Sequence, residues 1–268
     1  KRIYKMMNDT RFLRNKDLIS VDSLDRVGII GLGGIGSFLI QSLTIMGFKT
    51  IKGWDDDTVE RHNLSSTAYF VNQVEELKCI AAKKLHAQYA DVVNGHMQHF
   101  IPVSSKFTAL NRNSMYEKII ICTDDMESRY LAYKTWVSKH SNNPEAWFID
   151  ARMGATSIEL VTVKGGQDDY MKHWIPTKAV KQAPCSMKHT VFATLNITSL
   201  VSAQVYNLVA KLAYYDYIWS SLSPINIQYG TLIVPNLNKK EIDDKSTQSK
   251  DRLGDNALGS DLLLDRTA

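Results

Sequence analysis

Residues 27–37 read VGIIGLGGIGS. An apolar, β-rich run (27–32) enters a glycine cluster, and an apolar stretch with few breakers (37–46) leaves it. That order is strand, tight loop, helix. Gly31, Gly33 and Gly36 fit the pattern GxGxxG in the context that gives it meaning. Gly31 permits the turn, Gly33 lets a phosphate approach the backbone, and Gly36 lets helix and strand pack closely. The start of the helix offers unpaired N–H groups and the positive end of its dipole to an anion. Asp55 lies 19 residues past Gly36, where an acid reaches ribose hydroxyls. A bound nucleotide is therefore expected, with a purely structural turn as the alternative. The loop alone does not say which nucleotide.

Outward from the loop, the first 150 residues alternate strand and helix patterns. Residues 50–55 read as a second strand ending in acids, and 75–93 as a helix with Leu77, Ile80, Ala81, Leu85 and Tyr89 on one stripe. Further strands are expected at 97–103 and 118–123, the latter (KIIICT) apolar enough to be buried on both faces. A helix follows over 127–140. This alternation predicts a parallel sheet with right-handed crossovers. The rhythm then changes. Residues 147–150 and 157–163 are strand-like and too close for a crossover, which favours antiparallel pairing. Residues 190–215 read as a buried helix and 226–234 as a late strand. The predicted fold is α/β, a Rossmann-like mixed sheet, parallel in the N-terminal half with antiparallel strands added in the C-terminal half. One domain is expected over 1–237, and a polar, flexible tail over 238–268 with a short helix near Leu262.

Composition removes several classes. Of 268 residues, 44% are hydrophobic and 22% charged, which suits a globular domain with a full core. A net charge of +4 without a dense Lys/Arg tract does not argue for nucleic acid. No run of about 18 apolar residues is present, so neither a membrane span nor a membrane partner is expected. The polar, basic N-terminus has no apolar signal core. Cys79, Cys122 and Cys185 stand far apart without a CxxC pair, which fits a reducing, cytoplasmic setting and not a zinc site.

After the second strand the chain continues WDDDTVERHNL, more polar groups than a nicotinamide site requires. GLGGIGS at 31–37, DDDTVERHNL at 55–64, Lys78 opening a helix and CTDD at 122–125 together resemble the ThiF/MoeB/HesA superfamily, which includes the ubiquitin-activating enzymes. The likeness covers roughly residues 11–235. It implies ATP- and magnesium-dependent adenylation of a C-terminal carboxylate, on a ubiquitin-like protein or a peptide. By the same resemblance Gly31, Gly33, Gly34 and Gly36 form the phosphate loop, and Asp55 binds the ribose. Asp57 belongs to the same nucleotide-binding segment, Asn63 contacts phosphate, Lys78 holds a phosphate oxygen and Asp124 organises the magnesium. Arg11 and Arg14, in RFLRN, resemble a segment that supplies an arginine to the phosphates, in bacterial relatives from the other subunit of a homodimer.

The chemistry asks for such groups. Charge develops on phosphoryl oxygens, so cations and N–H groups must converge there, and magnesium takes oxygen ligands. Structural alternatives stand beside each assignment. Asp56 and Asp57 suit a turn, Lys78 a solvated helix face, Asp124 or Asp125 a helix N-cap, and Arg11 and Arg14 an ordinary surface.

The sequence also departs from the family pattern. Where the family reads NLxRQ, this chain has Ser66 and Thr67 in place of Arg and Gln. The spacing to Lys78 is one residue shorter than usual, and the zinc-binding CxxC pairs of many bacterial members are missing. Cys185, in APCSMK, resembles the thioester cysteine of the eukaryotic activating enzymes and is expected on a loop near a helix start, where Lys188 and His189 would lower its pKa. Cys122 and Cys79 read as structural. The alternative functions are a non-catalytic scaffold of an activating complex, with Ser66 as its main support, and an NAD(P)-dependent oxidoreductase.

Overall fold

The computed structural model describes residues 11–15, 17–108, 113–167, 170–175 and 190–221. Among these residues seven strands form one sheet: β1 (Arg26–Ile30), β2 (Thr50–Trp54), β5 (His99–Val103), β6 (Lys118–Ile121), β7 (Trp147–Met153), β8 (Ser157–Lys164) and β9 (Tyr217–Ser221). Their order is β5-β2-β1-β6-β7-β8-β9. The five from β5 to β7 run parallel. β8 pairs antiparallel with β7, and β9 antiparallel with β8. The mixed sheet expected from the change of rhythm is thus present.

Among the described residues four α-helices flank the sheet: α1 (Gly34–Met46), α2 (Lys78–Tyr89), α3 (Met126–His140) and α4 (Val191–Val209). Alternation along the buried strands divides the core. Ile29, Ile51, Ile120 and Ile149 point into one cluster, with Leu39 and Leu43 of α1, Ala81 and Ala82 of α2, and Ile197 and Val201 of α4. Ile30, Ile119, Ile121 and Phe148 point the other way, against Tyr133 and Trp136 of α3. KIII in β6 supplies both faces, as its unbroken apolar run requires.

Several boundaries differ from the sequence reading, most of all around α2 and at the end of α4. The helix expected over 75–93 begins only at Lys78 and ends at Tyr89. Before it, the chain pairs with 57–59: Glu75 and Lys78 N–H donate to Val59 and Asp57 carbonyls, and Val59 N–H to Glu76 O. Glu75 sits at φ +74°. Leu77 and Ile80 are exposed, whereas Ala81 and Leu85 of the expected stripe are buried, together with Cys79, Ala82 and His86. Beyond α2, Asn94-Gly95 turns a two-strand hairpin of β3 (Val92–Val93) and β4 (His96–Met97), both turn residues at positive φ. Finally, α4 stops at Val209, with Lys211 at φ +56°, and β9 follows. The aromatic run YYDYIW carries no Gly or Pro, which hid the strand. The strand expected at 226–234, the tail at 238–268 and the helix near Leu262 lie outside the described residues.

The parallel order puts β1 and β6 side by side, where the chain switches from building one half of the sheet to the other. Open α/β sheets leave a crevice at the carboxyl ends of such strands. The glycine loop follows β1, and Thr123–Asp124 follows β6.

Candidate nucleotide site

The glycine loop is built by exclusion. Gly31 has φ +90°, and a Cβ there would lie 2.9 Å from the Cys122 carbonyl carbon. A Cβ on Gly36 would lie 2.1 Å from Gly31 O, so the close approach there is of the loop to its own helix. At Gly33 a Cβ meets nothing within 4 Å. That open side leaves room for an anion to reach the backbone N–H groups at the start of α1. Gly34 backs onto Ser66, whose carbonyl lies 3.2 Å from a Cβ at that position. Ser37, fully buried, ties the assembly together: its hydroxyl donates to Gly34 O (3.0 Å) and accepts from Ala68 N–H (3.0 Å).

The acids after β2 gather beside the loop. Asp55, half-buried, accepts Leu32 N–H at 2.7 Å on one carboxylate oxygen and Asp57 N–H at 2.9 Å on the other. Burial raises its pKa, while Lys78 and these two N–H groups pull it down. Asp57 bonds Lys78 twice: Nζ to Oδ2 at 2.7 Å and Lys78 N–H to Asp57 O at 2.8 Å. The Lys78 side chain is only 12% exposed. It is therefore no solvated helix lysine, and Asp57 does more than shape a turn. Carboxylate oxygens of Asp55, Asp56 and Asp57 come within 4.8 Å of one another. Asn63 sits on a 3-10 turn, where its Oδ1 accepts Glu60 N–H at 3.0 Å and its amide nitrogen donates to no group among the described residues.

Across the crevice, the two acids of CTDD divide their work. Asp125 is the N-cap of α3, accepting Ser128 N–H at 2.6 Å. Asp124 is exposed, and among the described residues no hydrogen bond or ion pair engages it. Its carboxylate is a hard oxygen donor of the kind magnesium takes.

Sequence reasoning missed what holds this turn. Arg129 of α3 donates to the Thr123 carbonyl, to the Asp150 carboxylate and to Ala151 O (3.0 Å). Asp150 is fully buried and also accepts Arg152 Nε and Tyr170 OH, each at 2.8 Å. Arg152 continues to Glu159 at 3.0 Å and to His173 O at 2.6 Å. A buried, mutually neutralising group of charges thus clamps the ends of β6 and β7 to α3. The signal in sequence was Asp150 and Arg152 in a strand otherwise apolar (WFIDARM).

Other expected residues lie apart from the crevice's polar groups. Arg11 is bound within the fold, to Tyr89 O at 2.8 Å and to Asp91 at 3.4 Å. Arg14 is exposed, and no hydrogen bond joins it to the glycine loop among the described residues. Ser66, at the position of the family arginine, is 6% exposed. Cys122 is half-buried by surface area, and desolvation pushes its thiol up to about 12. Burial and then Asp55 raise the Cys79 thiol. Neither is a ready nucleophile. Cys185 lies outside the described residues. No described helix is long and apolar enough to cross a membrane.

Known proteins resemble this chain in sequence and in fold. The chain is 35% identical over 115 residues to the adenylyltransferase and sulfurtransferase uba4 of Ogataea parapolymorpha, covering 42% of this chain and 28% of that protein. It is 33% identical over 113 residues to UBA4 of Candida albicans, covering 40% and 24%. The chain thus spans under a third of the length of these curated relatives. Among solved structures, selenomethionine PaaA superposes with TM-score 0.62 at 16% identity, over 82% of this chain and 70% of that one. E. coli MccB with ATP superposes at 0.61 and 18% identity, over 85% and 74%. These likenesses share the fold. The model of the ThiF family matches residues 10–244, nearly the whole chain, and the chain belongs to that family.

Proposed function

We propose that the protein adenylates a C-terminal carboxylate with ATP. The carboxylate oxygen bonds to the α-phosphorus, the α–β phosphoanhydride bond breaks, and pyrophosphate leaves with the electron pair. The observation that carries this reading is the crevice itself: the open backbone at Gly33, the Asp55–Asp57–Lys78 group and the exposed Asp124 all stand at the carboxyl ends of the strands around the β1/β6 switch point. Gly31, Gly33, Gly34 and Gly36 cradle the phosphates, Asp55 takes the ribose, and Asn63 and Lys78 donate to phosphate oxygens. Lys78 turns from Asp57 to do so. Asp124 would hold magnesium, which neutralises phosphate charge when bound. Positioning and electrostatics supply the catalysis.

Several observations support the partners. The curated relatives are adenylyltransferases by name. MccB, which shares the fold, has been crystallised with ATP and with MccA. A ubiquitin-like protein or a peptide is therefore the acceptor class, in a cytoplasmic setting. Exposed Arg14 would reach the phosphates across a homodimer, and Cys185 would accept the activated acyl group as a thioester. Buried Ser66, in place of a cation, favours a second reading, a non-catalytic scaffold subunit.

Radiolabelled pyrophosphate exchange into ATP separates the two. Probes are a ubiquitin-like protein ending in Gly-Gly and a short peptide with a free C-terminus. Exchange with either probe, dependent on magnesium and lost in Asp124→Ala, is expected. No exchange, with ATP bound equally by wild type and Asp124→Ala, would favour the scaffold.

A further inference from the structure

Tyr69 lies in the segment that replaces the family arginine, and the assignments above leave it unused. It is 5% exposed, and its hydroxyl donates to the Leu32 carbonyl at 2.6 Å, with the Lys78 carbonyl 3.4 Å away. Its backbone neighbours are fixed on both sides. Ala68 N–H donates to Ser37 Oγ at 3.0 Å, and Phe70 N–H to Gln73 Oε1 at 2.8 Å. Gln73 in turn donates to Ala81 O of α2 at 3.2 Å.

The hydroxyl closes a ring. Leu32 N–H bonds Asp55, Asp55 bonds Asp57 N–H, Asp57 bonds Lys78 through N–H and Nζ, and Tyr69 lies between the Lys78 and Leu32 carbonyls. The Leu32 carbonyl belongs to the same planar, trans peptide as the Gly33 N–H, so the two point in opposite directions. Holding the carbonyl from inside the fold therefore aims the Gly33 N–H outward, at the residue whose Cβ side is open.

We propose that the Tyr69 hydroxyl is a positioning group for the nucleotide: it closes this ring, fixes the Leu32–Gly33 peptide and presents the Gly33 N–H to phosphate. The inference rests on the nucleotide reading above. Burial, then the nearby Asp55 and Cys79, raise the Tyr69 pKa well above the ordinary phenol value, which keeps the hydroxyl a donor. With Ser66 in place of a cation, backbone N–H groups carry more of the phosphate binding, and their direction matters more.

Tyr69→Phe tests it, because the ring fills the same space and only the donor is lost. Three quantities are read: ATP affinity by calorimetry, amide hydrogen exchange at Leu32, and Tm. Tyr89→Phe is the comparison, a hydroxyl bonded to Gln41 at the far end of α2. In Tyr69→Phe, ATP binding is expected to weaken roughly tenfold and Leu32 exchange to accelerate at least as much, since a buried carbonyl is left unpaired. Tyr89→Phe should leave ATP affinity unchanged. An ATP affinity equal to wild type in Tyr69→Phe would overturn the inference, even if Tm fell, and would leave the nucleotide reading standing. A wild-type protein that binds no ATP would overturn both.

Discussion

At Gly33 an added methyl group meets open space, whereas at Gly36 it strikes the Gly31 carbonyl at 2.1 Å. The two glycines of one motif therefore respond differently to the same substitution. Gly33→Ala should keep the fold, with Tm within a few degrees of wild type, because an added Cβ meets open space and the backbone at φ −77° and ψ −140°, outside the regions alanine prefers, costs about 1 kcal/mol. It should weaken ATP binding at least tenfold by covering the approach to the N–H groups. Gly36→Ala should cost about 1–3 kcal/mol of stability through overpacking, read by urea unfolding. Equal stability loss in both would mean that the loop does not separate packing from binding. At this scale the motif residues were legible, because each role depends on local spacing. Asp55, Asp57 and Lys78, which the family resemblance singled out, lie together in the structure. Arg129, Asp150 and Tyr69 were not legible, because their partners lie 6, 21 or 37 residues away and only the folded sheet brings them within reach.

Elements were legible where a pattern was long and hidden where backbone pairing overrode it. The alternation of strands and helices, and the antiparallel turn at β7–β8, followed from apolar periodicity and gap length. The late start of α2 did not, since its preceding N–H groups are taken by residues 57–59. Two predictions belong here. Arg129→Leu removes one side of the pair with Asp150, whose side chains are 6% and 0% exposed. A loss of about 3 kcal/mol is expected, at the low end for breaking a buried pair because Arg152 and Tyr170 still hold Asp150. Urea unfolding measures it, and a loss below about 0.5 kcal/mol, typical of surface sites, would show that the clamp is not structural.

The second concerns His86 of α2, packed against Phe100 of β5. Burial, then His99, lower its pKa from 6.5 to about 4. The unfolded chain therefore binds a proton that the folded chain refuses between these values, and stability falls as pH drops from 6.5 toward 4. In His86→Phe, the loss of Tm between pH 7 and pH 4.5 should be smaller than in wild type. Identical losses would place the pH sensitivity in other groups.

The whole molecule brings these scales to one place. A sheet ordered β5-β2-β1-β6-β7 sets the glycine loop and the Asp124 turn on neighbouring strand ends. Core clusters on both faces hold those ends in position. The fold class was legible in the first half of the chain, where every element repeats one pattern. Beyond α3 the pattern changes, and a strand of aromatic residues with no breaker before it went unread.

The central claim is that this crevice binds ATP for acyl transfer. Calorimetric titration of the full chain with ATP, with and without magnesium, tests it most directly, with NAD and NADH titrated in parallel. Saturable ATP binding that tightens with magnesium, and no heat from NAD or NADH, is the predicted result. Binding of NAD or NADH in place of ATP, or of none of them, would contradict it.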